Sequence, residues 1–199
     1  MTTLLLISGS QRRESWNARL LDHLAFSLQW QCAVDMLEPC SIGLPLFDQD
    51  LEADAAVLVT LTALHQRFSK CSGIIVACPE YNGQATPLLK NTVDWVSRLA
   101  HIDDRFGNPF LDKPVLLCSA STGWSGGALV IQNLRALFGY VGATVMGPSI
   151  NIARADDQWT ASGFHFDDAK DRQIEAAVSA LLQWAGQSRQ VSEPELLTA

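Results

Sequence analysis

A stretch near the amino end, Gly9-Ser10-Gln11-Arg12-Arg13-Glu14-Ser15-Trp16-Asn17, carries the donors that a phosphate dianion needs. Backbone N–H groups at a helix start supply several donors together with the positive end of the helix dipole. The hydroxyls of Ser10 and Ser15, the amide of Asn17 and the guanidinium of Arg12 complete such a set, with Trp16 beside them. Arg13 and Glu14 read as surface residues. This is not a Walker loop, because no Gly-Lys-Ser/Thr follows, nor a dinucleotide fingerprint, because Gly9 is its only glycine. Taken alone, it fits a plainer reading equally well, with Ser15 as a helix N-cap and both arginines solvated.

A second loop, Pro79-Glu80-Tyr81-Asn82-Gly83, is suited to lie along a flat polar ring. Pro79 stiffens the chain, Tyr81 offers an aromatic edge, and Asn82 and Gly83 admit left-handed backbone that exposes N–H groups. Asn-Gly alone signals only a turn. Each loop, however, follows an apolar run, Leu4–Ile7 or Ile74–Ala77, and opens a helical pattern. Both therefore sit at the carboxyl ends of expected strands, and parallel neighbours at a switch point would open them onto one crevice. A phosphate cradle and a ring platform in one crevice point to flavin mononucleotide (FMN) and to redox chemistry. No side chain need act as a general acid or base. Glu80 is the nearest acidic group in sequence, and its simpler role is that of a hydrogen-bonding loop carboxylate.

A third loop, Ser119–Gly127, would border the same crevice, with Ser119 and Gly123 as its expected contacts. Within it, Gly123-Trp124-Ser125-Gly126-Gly127 also satisfies G-x-S-x-G, the nucleophile elbow of α/β-hydrolases. Asp156 or Asp157 and then His165 follow in triad order. Against that reading, Ser119–Thr122 separates the elbow from its strand, the chain is short for that fold, and the first two loops stay unexplained. A non-enzymatic flavin carrier or sensor is a further alternative. A carrier needs no open space over the flavin, whereas a reductase must admit both nicotinamide and acceptor.

Positioning these loops requires an alternating series of elements. Strands are expected at 3–8, Val34–Leu37, 73–78, Val115–Ser119 and Thr144–Met146. Helices are expected from Ser15, over Ala53–Phe68, from Thr86-Pro87, near Ala128–Phe138 and over Asp168–Trp184. Pro39–Gln49 and Asn151–Asp167 show no clear element. Five strands separated by helices predict an α/β fold, a doubly wound five-stranded parallel sheet with helices on both faces. The flavodoxin-like order 2-1-3-4-5 brings the two opening loops together. Residues 1–186 would form a single domain, with 187–199 a polar, loose tail.

The 199 residues are 48% hydrophobic, enough for a full core, and carry a formal charge of −7 with no basic stripe. That balance argues against a nucleic-acid partner. No apolar run approaches the ~18 residues of a membrane helix, and the amino end lacks the pattern of a signal peptide, so a cytoplasmic location is expected. The five cysteines, Cys32, Cys40, Cys71, Cys78 and Cys118, include no C-x-x-C pair and read as buried reduced thiols, not as a metal site.

The sequence resembles the NAD(P)H-dependent FMN reductase family, which includes quinone, azo-dye and chromate reductases. Gly9, Ser10, Arg12, Ser15 and Asn17 match its first loop, and Pro79–Gly83 its second. Leu89-Lys90-Asn91 with Asp94-Trp95 match the helix after it, and Leu44–Leu51 matches a further segment. The resemblance implies non-covalent FMN, with Ser10, Arg12, Ser15 and Asn17 on its phosphate and residues 79–83 on its ring. It also implies NADPH or NADH as reductant, a small acceptor such as free flavin or a quinone, and a dimer or tetramer with the helix after Asn82 near the partner. The third loop departs most from the pattern, with Trp124 where a basic residue is usual. There it could wall the site and favour a planar acceptor, or simply face solvent or a partner.

Overall fold

The computed structural model describes residues 1–192, with side chains to Gln187. The elements in chain order are β1 (Thr3–Ser8), α1 (Trp16–Leu28), β2 (Ala33–Leu37), α2 (Ala55–Lys70), β3 (Gly73–Ala77), α3 (Pro87–Ile102), β4 (Pro114–Ala120) and α4 (Ala128–Tyr140). Then follow β5 (Thr144–Val145), β6 (Ile150–Ile152), β7 (Trp159–Thr160), β8 (Gly163–Phe164) and α5 (Asp168–Ser192). The main sheet is parallel, in the order β2-β1-β3-β4-β5 that the sequence predicts.

Side chains alternate across the sheet with the two-residue period of a strand. Leu4, Leu6, Ile75, Ala77, Leu116 and Cys118 face a core shared with α1 and α5. Leu5, Ile7, Ile74, Val76, Val115 and Leu117 face a second core shared with α2, α3 and α4. Burial on both faces explains why the strands read as continuous apolar runs. β1 leads to a helix on one face and β3 to a helix on the other. The crevice between their carboxyl ends is the switch point.

The sheet departs from expectation at its far edge. The fifth strand is split: β5 pairs with Pro114–Val115 of β4, and β6 pairs with Cys118–Ala120 further along. Gly147-Pro148 lies at the break, where proline has no N–H for the ladder. Arg135 bonds the freed carbonyls of Met146 and Gly147 at 2.8 and 2.6 Å.

The stretch without a clear element contains β6 and the small antiparallel hairpin β7–β8. Helix α5 continues past Trp184 to Ser192. The rest of the expected tail lies outside the described residues. Cys32, Cys71, Cys78 and Cys118 are buried and unpaired, whereas Cys40 is exposed on the short turn Pro39–Ser41. Among the described residues no helix is long and apolar enough to cross a membrane, and no cluster of potential ligands could hold a metal.

Candidate functional site

The first loop leaves β1 as a series of short self-contacts. Ser8 Oγ accepts from Ser10 N–H, Ser10 Oγ accepts from Arg12 N–H, and Ser15 N–H donates to Arg12 O. Ser15 then caps α1, its Oγ accepting from the N–H groups of Asn17 and Ala18. Ser10 and Ser15 are buried in the turn, while Arg12 and Arg13 are exposed at its rim. The arrangement is a hydroxyl-lined turn entering a helix, with Arg12 exposed in the turn. A small anion fits that donor set.

The second loop is fastened to the first by Thr86. Its Oγ1 donates to Gly9 O at 2.6 Å and accepts from Leu89 N–H, so one hydroxyl both caps α3 and holds the first loop. Gly9 N–H donates to Ala77 O at 2.8 Å. A Cβ on Gly9 would lie 2.8 Å from Cys78 Sγ, so only glycine allows this approach. Asn82 and Gly83 have φ of 52° and 76°, and Tyr81 and Gln84 exchange backbone hydrogen bonds across them. That is the turn with two left-handed central residues which Asn-Gly favours. Tyr81 is half exposed.

Two further contacts brace the second loop from α4. Glu80 Oε2 accepts from the N–H groups of Leu129 and Val130 at 3.0 and 3.1 Å. Asn133 Nδ2 donates to Gly83 O. Glu80 is thus a hydrogen-bonded loop carboxylate that caps α4 from a distance, because α4's own N-cap is Gly127. Sequence reasoning left this partner unidentified. The available signal was a helix preceded by Gly126-Gly127, with no side chain of its own to cap it.

The expected contacts divide into those facing the crevice and those holding it. Asn17 lies with the second group: Nδ2 donates to Ala120 O at 2.9 Å, and Oδ1 accepts from Ala120 N–H at 3.0 Å. Its amide staples α1 to the end of β4. Trp16 turns toward the hairpin, with its ring 6.0 Å from Trp159 and 6.2 Å from Phe164, and the Arg19 guanidinium stacks on both tryptophans. Ser119 is fully buried beneath Gly127, and its Oγ has no hydrogen-bond partner among the described residues. A Cβ on Gly127 would come within 2.0 Å of that oxygen. Gly123 is exposed, its N–H on Ser121 Oγ and its carbonyl on Arg154 N–H. Trp124 beside it is 86% exposed.

The hydrolase reading finds no support in this geometry. A nucleophile elbow is a strained turn straight off a strand. Here β4 ends at Ala120, and Ser125 is not among the residues with positive φ. Among the described residues no hydrogen bond joins the side chains of Ser125, His165, Asp156 and Asp157, and His165 is exposed.

Comparison with known proteins agrees with the loop geometry. Residues 2–157 match the model of the NADPH-dependent FMN reductase family. The chain is 31% identical over 143 residues to the quinone reductase of Escherichia coli strain K12, covering 72% of each chain. It is 26% identical over 187 residues to an NAD(P)H-dependent FMN reductase of Pseudomonas aeruginosa, covering 94% of this chain and 96% of the other. Among solved structures, the flavoenzyme NAD(P)H:(acceptor) oxidoreductase FerB of Paracoccus denitrificans superposes with a TM-score of 0.81 at 25% identity, over 94% of this chain and 98% of that one. The paired loops lie within the matched span, and the chain belongs to the NADPH-dependent FMN reductase family.

Proposed function

We propose that this chain holds FMN non-covalently across its first two loops and passes electrons from NADPH or NADH to a small quinone-like acceptor. The observation that carries the reading is the Thr86 clasp. One buried hydroxyl ties Gly9, where the hydroxyl-lined turn begins, to the start of α3, which follows the left-handed Asn82-Gly83 turn at the switch point. FMN, when bound, supplies hydride-accepting chemistry that no side chain provides. The protein's part is to bind, orient and leave one side open.

In this reading Ser10, Ser15 and Arg12 would hold the phosphate of FMN, supplying two hydroxyl donors and a guanidinium. Trp16 and Asn17 hold α1 in place. Pro79–Gly83 lies along the ring, and Ser119 and Gly123 belong to the wall behind it. The quinone-like acceptor rests on named relatives: the Escherichia coli quinone reductase and a 2-hydroxy-1,4-benzoquinone reductase of Burkholderia, 26% identical over 188 residues. Trp124 and the half-exposed Tyr81 give the site aromatic surface suited to a planar acceptor.

We place the protein in the cytoplasm as a homo-oligomer. The groove between α3 and α4, lined by Gln84, Lys90, Asp94, Asn133 and Tyr140, is the face offered to a partner copy. The deciding experiment is the absorbance spectrum of the purified protein with FMN, before and after NADPH without oxygen. A flavin spectrum that NADPH bleaches and a quinone restores is the expected result. Protein that takes up no FMN would overturn the reading, and bound flavin that neither NADPH nor NADH bleaches would make it a carrier.

A further inference from the structure

Arg154 stands out on the wall formed by the third loop. Its φ is 46°, a left-handed conformation that a non-glycine residue with a long side chain seldom adopts. The conformation is imposed by its surroundings. Arg154 N–H donates to Gly123 O, Ala155 N–H donates to Ser121 O, and Asp157 N–H donates to Arg154 O. Gly126 packs so closely on Ala153 that an added Cβ would lie 2.9 Å from its nitrogen. Strain held this firmly, beside a ligand crevice, is a mark of function.

The side chain adds a second observation. Arg67, Arg98 and Arg105 pair with carboxylates, Arg135 bonds two carbonyls and Arg19 stacks on two tryptophans. The exposed guanidinium of Arg154, like those of Arg12, Arg13 and Arg172, makes no such contact among the described residues, and of these four Arg154 is the one whose backbone is bonded to the third loop. The third loop itself carries no basic residue, and the molecule has a net charge of −7. A phosphate approaching this wall therefore needs a cation from elsewhere, and Arg154 is hydrogen-bonded to that loop.

We propose that Arg154 binds a phosphate of the incoming nicotinamide dinucleotide and so determines how well this enzyme takes its reductant. The proposal rests on the NAD(P)H reading of the site. Asp156 and Asp157 beside it are exposed and oppose anions at long range, so the contact must be short and bidentate. A charge-assisted hydrogen bond at an exposed position corresponds to about a tenfold change in affinity.

The test uses FMN-loaded protein and titrates oxidised NADP+ and NAD+ by calorimetry, alongside the KM for NADPH and NADH. Arg154→Asn suits the backbone, because asparagine tolerates left-handed geometry, and it removes the charge. Arg154→Lys keeps the charge. With Arg154→Asn the dissociation constant for NADP+ should rise about tenfold, with kcat and the flavin spectrum little changed, and Arg154→Lys should recover part of the loss. A loss confined to NADP+ identifies the 2′-phosphate, and a loss shared with NAD+ identifies the pyrophosphate. Unchanged affinity for both in a protein that still binds FMN and is bleached by NADPH would overturn the proposal alone. Failure of that bleaching in the unaltered protein would overturn the underlying reading instead.

Discussion

The carboxylate of Glu80 supplies α4 with the cap that Gly127 lacks, and in doing so fixes the ring-side loop. Losing an N-cap costs about 1 kcal/mol. Glu80→Ala should therefore lower the melting temperature by about 2–4 °C for a chain of this size and weaken FMN as the loop loosens. Glu80→Gln keeps a neutral acceptor and should fall between. Thermal melts with and without FMN measure both effects, and identical curves for all three proteins would remove the cap from the account. Ser119 presents the opposite case. Its buried oxygen has no partner among the described residues, so Ser119→Ala should leave the apoprotein equally stable or up to about 1 kcal/mol more so. If the hydroxyl is a flavin contact, FMN affinity must fall in that variant, and unchanged affinity takes its side chain out of the site.

At the scale of elements, the crevice depends on hydrogen bonds between parts of the chain that are distant in sequence. Thr86→Val removes a buried donor to Gly9 O and an acceptor for Leu89 N–H while keeping shape. Each group left unpaired costs about 1–3 kcal/mol. The expected result is a lower urea midpoint together with weaker FMN binding, and Thr86→Ser should restore most of both. A destabilised variant that binds FMN normally would show that Thr86 serves the helix and not the crevice. The sequence makes the helix role of Thr86 legible, because a hydroxyl before proline is a local start signal. Its bond to Gly9, and that of Asn17 to Ala120, are not legible, because no local pattern encodes a partner so far along the chain. The same division holds for the sheet. Continuous apolar runs mark β1, β3 and β4, and right-handed crossovers with the flavodoxin-like switch point supply the strand order. β5 lies where a strand is expected, but β6, β7 and β8 have only two or three residues each, too short to show a period, so the split edge and the hairpin beside Trp16 emerge only in the structure. Cys40 was expected inside with the other thiols, but the turn at Pro39–Ser41 carries it to the surface.

At the scale of the whole molecule, a sheet buried on both faces determines how stability responds to alkali. Burial pushes the Cys71 thiol from 9.0 up to about 11, and it raises Cys78 and Cys118 in the same direction. In the unfolded chain these thiols ionise at their ordinary value, while the folded protein keeps them protonated. Their stabilisation is thus complete below pH 9.0 and is lost as pH rises toward the folded value. For Cys71 alone the difference limits the loss to about 3 kcal/mol. Lys113 acts in the opposite sense. Its ammonium donates to Cys71 O at 2.6 Å, and burial lowers its pKa from 10.5. The unfolded chain then holds the extra proton, so this group returns stability as pH passes through that window. The urea midpoint should fall above pH 9.0, with Lys113 offsetting part of the fall. Cys71→Ala should start lower at neutral pH, through the small cavity it leaves, yet fall less with alkali. Parallel midpoint curves for the two proteins would show that the loss of stability in alkali does not come from Cys71.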